Sequence, residues 1–176
     1  LRMPQGALEP LKPWLASLTL TIVPLVQAGY DPASGVDRSI DVYADNAGKT
    51  MRALETAEQQ LSFFANLSPE VQREMLQEAI RESENVSAMI DEMSAAWERG
   101  DDAALERAVI DDTRTEYPEL YQMLFVDRNN AWMTVLTREM EGAGVDFVAV
   151  GAGHIIGPDG LVAQFRARGY TVECVR

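Results

Sequence analysis

A chain of 176 residues with 47% hydrophobic content has enough apolar side chain for a real core and reads as one globular domain, or a large part of one. Its formal charge of −13 argues against nucleic-acid partners and anionic membrane surfaces, whose phosphates it would repel. The single cysteine, Cys174, rules out an internal disulfide framework, and no apolar run reaches the ~18–20 residues of a membrane span.

The first twelve residues carry Pro4 and Pro10 and read as a loop. The apolar run at 15–28 is too short to span a bilayer, contains Pro24 and lacks the cleavage context of a signal peptide, so it predicts a buried helix starting at Pro10 or Pro13. Gly29 ends it, and Asp31-Pro32-Ala33-Ser34-Gly35 is turn chemistry. A second helix is expected from residue 36 to about 46, stopped by Gly48. Gly48-Lys49-Thr50 is not a phosphate loop, because Tyr43 stands where that motif needs a glycine. Residues 49–54 read as a short strand, though Met51, Arg52 and Ala53 are not strong β formers, and 55–66 as a helix.

Ser68-Pro69-Glu70 is a well-formed helix start. An apolar stripe then runs from Val71 to Trp97 and drifts near Asn85, which predicts one long curved helix or two. Met75, Met89 and Met93 lie on that stripe and read as core rather than as a binding groove. Helices are expected at about 103–110 and 116–141, the latter with Leu120, Tyr121, Leu124, Phe125, Trp132, Leu136 and Met140 on one face. Arg128 falls on that face, which calls for a polar partner or a side chain that reaches back to solvent.

Near the C-terminus, VDFVAVGAGHIIGPDGLVAQFRARGYTV reads as strand 145–150, a glycine turn, helix 161–168 and strand 170–175. In an open α/β sheet such a turn presents its residues at the carboxyl end of a strand, where ligands bind. It would present His154, the only histidine in the chain. A purely structural turn, with Gly151 and Gly153 there for conformation alone, is the competing reading. If 49–54 and 145–150 are parallel neighbours, Glu55 and His154 lie past one sheet edge, with Arg128 reaching in from the covering helix. Those three groups would suit a metal that activates water, metal-free acid–base chemistry, or a ligand clamp without turnover. The residues alone make a poor case for a metal: there is one His and one Cys, and Cys174 reads as a core residue.

Several motifs stand in a fixed order: Gly35-Val36-Asp37; Lys49 with Leu54-Glu55-Thr56 and Gln59; Arg128-Asn129 with Met133; the G-x-x-H of Gly151 to His154; and Gly157 to Leu161. Together, over roughly residues 25 to 175, they resemble the C-terminal signature of the TraB/GumN (TraB/PrgY/GumN, TIKI-related) family. The resemblance supports the strand at 49–54. It implies a metal-dependent, peptidase-like hydrolase, in which His154 and Glu55 hold a divalent cation (Mn, Co or Zn) or move protons and Arg128 steadies charge. Gly151, Gly153, Asp37 and Asn129 are motif residues of that likeness. It also implies a peptide or signalling substrate and an extracytoplasmic, bacterial setting. A first G-x-x-H expected ahead of residues 11–15 is not found, so the chain reads as this domain lacking its N-terminal portion.

The expectations are therefore a single helix-rich α/β domain over 1–176, with a small, mostly parallel sheet that is incomplete in this chain. Its expected function is metal-dependent hydrolysis of peptides, with catalytic residues His154, Glu55 and Arg128; the alternative is a non-catalytic module binding a peptide or small molecule at the same cleft. A homo-oligomer is the further expectation, since a groove left exposed by the absent N-terminal part would favour self-association.

Overall fold

The computed structural model describes residues 3–175. The chain divides into two compact units, Leu1–Glu92 and Met93–Arg176, and the division falls inside a helix.

In the first unit, α1 (Pro13–Gln27) begins on a proline, where a missing N–H costs nothing, and carries Pro24 within it. Its buried face is Ala16, Ser17 and Leu20, and it packs against α4 (Pro69–Glu82). Ser17 donates its hydroxyl to the Met75 carbonyl, 3.1 Å, so this small polar residue is satisfied at the helix–helix contact. Between them in sequence come α2 (Val36–Asn46) and α3 (Ala57–Ala65). Gly48, at φ +63°, turns the chain out of α2. A capping box opens α3: the Gln59 N–H donates to the Thr56 hydroxyl, and the Thr56 N–H donates to the Gln59 side chain. Ser68 caps α4 through the Val71 N–H, and Trp14 stacks on Phe64. The apolar stripe after Ser68 forms two helices, α4 and α5 (Val86–Glu98), with the break at 83–85 where the stripe drifts.

The second unit is built on two helices that each change winding partway. Asp101 caps α6 (Asp102–Glu106), which continues through a π turn, Arg107–Asp111, into α7 (Asp112–Glu116). Then α8 (Pro118–Tyr121) continues through a second π turn, Gln122–Asp127, into α9 (Arg128–Met140). A 3-10 turn, Ala152–His154, and α10 (Leu161–Ala167) complete it. Ile110, Asn129 and Met133 are its most deeply buried side chains, with Leu105, Tyr121, Trp132, Leu136 and Leu161 around them.

The α/β expectation is wrong. The chain is 65% helical, and among the described residues there is no strand and no sheet. Residues 49–54 form an irregular link between α2 and the Thr56 cap. Residues 145–150 and 170–175 have the β-branched content of strands but form no strand ladder among the described residues. Val145 is 100% exposed, Phe147 79% and Val175 93%. Strand identity depends on a ladder with another segment, and composition alone cannot supply one. Cys174 is likewise exposed, not a core residue. No helix among the described residues is long and apolar enough to cross a membrane.

The α1–α4 contact predicts a sharp contrast between two neighbours. Leu20→Ala, at a buried site, is expected to lower the unfolding free energy by about 3 kcal/mol. Ile22→Ala, at a half-exposed site on the same helix, should change it by under about 0.5 kcal/mol. Urea denaturation of the two variants checks the pair.

Candidate functional site

The second unit places the only histidine of the chain in a built environment. Gly151 leads into the 3-10 turn, in which the His154 N–H donates to the Gly151 carbonyl, 2.9 Å, and the Ile155 N–H to the Ala152 carbonyl, 2.9 Å. Gly153 is wedged against both π turns: a Cβ there would lie 2.8 Å from Phe125 Cε1 and 3.0 Å from Val109 Cγ1. The tight approach is what requires glycine here. It seats the His154 ring, 7% exposed, against Trp132 (4.4 Å between centroids) and Phe125 (5.4 Å). π turns recur at functional sites because they re-aim side chains along a helix. Here both touch the same glycine.

Hydrogen bonds lock this arrangement. His154 Nδ1 lies 2.8 Å from Asn129 Oδ1, and Asn129 is 1% exposed. The Asn129 amide N–H donates to the Asp159 carbonyl, 2.9 Å, which also accepts from Gln164 Nε2, 3.1 Å. The Asp159 carboxylate in turn accepts the Tyr121 hydroxyl, 2.8 Å. Burial, then the hydrogen bond to Asp159 and its negative charge, push Tyr121 up to about 12, with Arg114 opposing. The turn that carries Asp159 closes at Gly160, where a Cβ would stand 2.3 Å from the Ile156 carbonyl oxygen and 2.5 Å from that of Ile155.

Arg128 is the first residue of α9 and is half-buried. It donates to the Leu124 carbonyl of the second π turn, 3.1 Å, and its guanidinium lies over the Trp132 ring, 5.0 Å from the centroid. One unit thus brings together His154, Asn129, Gly151 and Gly153, with Arg128 joined to them through Trp132. Glu55 belongs to the first unit, in the link before α3, where Gln60 donates to its carboxylate, 2.9 Å. Asp37 also belongs there, in the first turn of α2. The shared sheet edge expected to carry Glu55 to His154 does not exist among the described residues.

The groups around His154 do not fit a divalent metal. Its ring faces an amide and two aromatic rings, and the nearest carboxylate of the network, Asp159, is taken by Tyr121. Among the described residues no group of three or more His, Cys, Asp or Glu stands together as a metal's donors would.

Tyr121, Phe125, Trp132 and Asp159 were legible in the sequence only as core or turn residues. The signal that could have singled them out is Asn129, a polar residue between Phe125 and Trp132 that, if buried, demands a partner opposite.

Two variants test the geometry. Gly160→Ala should cost about 2 kcal/mol or more, because backbone oxygens cannot yield as a side chain would; thermal denaturation measures it. For Tyr121 the folded value lies above its ordinary value of 10.0, so its contribution is complete below that pH and is lost as pH rises through about 12. The stability advantage of the wild type over Tyr121→Phe, about 1 kcal/mol from the hydrogen bond, should therefore hold below pH 10 and fall across that window in denaturation titrations.

Neither a curated protein nor a solved structure matches the chain. A family model does, over residues 1–174, which takes in the opening helix that the motif likeness leaves out. With its G-x-x-H turn seated on Asn129 and with Arg128 beside it, the chain belongs to the TraB/PrgY/gumN family.

Proposed function

We propose that the chain is a peptidase-like hydrolase in which His154 handles the proton. Its imidazole takes a proton from an attacking water and returns it to the leaving amine. One observation carries this reading: a single imidazole, nearly enclosed, is oriented by a buried amide that is itself fixed by a backbone carbonyl. Acid–base catalysis needs such orientation, since a freely rotating ring spends little time in line with the proton it moves. Arg128 supports the same reading as a fixed cation that could offset charge growing on a carbonyl oxygen. Glu55 is proposed as the second acid–base group on the strength of its motif alone. No metal step enters, because the groups near His154 do not make a donor set; a requirement for Mn, Co or Zn would demand donors from elsewhere.

The second reading, a cleft that binds a peptide or small molecule without turnover, is favoured by the aromatic walls. Trp132 and Phe125 pack on the His154 ring and Tyr121 packs on Phe125, the mix of aromatic surface and a single polar group that is common in binding pockets.

Incubating the full-length protein with a mixture of short peptides, with and without each metal, and monitoring products by mass spectrometry separates the two. Cleavage is expected, and His154→Ala should lower it at least about 100-fold with an unchanged far-UV circular dichroism spectrum. Glu55→Ala should do the same. Turnover retained by His154→Ala would contradict the assigned role, and peptide binding without any cleavage would favour the second reading.

A further inference from the structure

The hydrogen bonds around His154 determine more than its orientation. The Asp159 carbonyl oxygen can only accept, and it takes an N–H from Asn129 and another from Gln164. The amide nitrogen of Asn129 must therefore face Asp159, which leaves its oxygen facing the imidazole. That oxygen also can only accept, and it lies 2.8 Å from His154 Nδ1. Nδ1 must then carry a proton in the neutral ring as well as in the charged one.

We propose that Asn129 is a positioning residue that holds neutral His154 as the Nδ1–H tautomer, so that the lone pair resides on Nε2. An imidazole in water favours the opposite tautomer, with its proton on Nε2. The protein reverses that preference because Asn129 is 1% exposed and has no water to turn to. Tyr121 belongs to the same device at one remove: its hydroxyl holds the Asp159 carboxylate and so fixes the carbonyl against which the amide is set. The inference deepens the hydrolase reading by naming Nε2 as the nitrogen that takes the proton, and it rests on that reading only for its consequence in catalysis.

Because the chain contains one histidine, the tautomer can be read without assignment ambiguity. Long-range proton–nitrogen NMR correlation on the ¹⁵N-labelled 176-residue chain, above the pH at which the ring loses its charge, should show a protonated Nδ1 and an unprotonated Nε2. The expected excess of that form is about tenfold or more. Asn129→Leu should shift the ring to the Nε2–H form or to a mixture, whereas Asn129→Asp, which keeps an acceptor, should retain Nδ1–H and raise the pH of ring titration. A wild-type ring protonated on Nε2 overturns the proposal, and so does an Asn129→Leu spectrum identical to wild type. If the leucine variant does not fold, the wild-type and Asn129→Asp spectra still decide it. The readout is independent of turnover: the expected tautomer in a protein that cleaves no peptide would sink the hydrolase reading and leave this one standing.

Discussion

A histidine that is 7% exposed has to find its hydrogen-bond partners inside the protein, and the second unit is arranged around that need. Its Nδ1 is met by Asn129, Asn129 by the Asp159 carbonyl, and the Asp159 carboxylate by Tyr121. Each link is buried or half-buried, so none can be exchanged cheaply for water. The chain of bonds crosses from the middle of one helix to the turn before another, and ties α9 to α10 through polar groups as well as through packing.

The winding of the two long helices obeys the same constraint. A turn that must lie close enough for an imidazole to reach Asn129 leaves no room for a side chain at Gly153. Val109 and Phe125, which close on that glycine, both stand in π turns. A π turn accommodates an extra residue and rotates the rest of the helix beyond it, so the buried face passes from Tyr121 to Asn129, Trp132, Met133 and Leu136. An apolar stripe counted at the α period instead places Leu124, Arg128 and Met140 inward. Met140 is exposed, and Arg128 is half-buried with its charge resting on Trp132.

Local chemistry was legible in the sequence; pairing was not. Proline at the start of α1, the turn at Gly48, the Ser68 cap and the break near Asn85 are each decided within a few residues, and α1, α2, α4 and α5 form where those signals put them. The strands at 49–54, 145–150 and 170–175 were inferred from side-chain content, but a sheet is a relation between segments. Val145, Phe147 and Val175 carry β-rich side chains into solvent instead. The site divides the same way. Gly151, Gly153, His154, Arg128 and Asn129 could be marked from motifs, and they meet in one unit. The bond that joins Asn129 to Asp159 spans 30 residues, and no periodicity announces it.

Asn129 and His154 act as one buried pair, and a double-mutant cycle measures this most directly, using Asn129→Leu, His154→Leu and the double variant in chemical denaturation. A coupling of about 1–2 kcal/mol is expected, since either single change strands a polar group that the double change removes. Single-variant costs that add to within about 0.3 kcal/mol would show that the two side chains do not depend on each other, and would contradict the pairing on which the site is built.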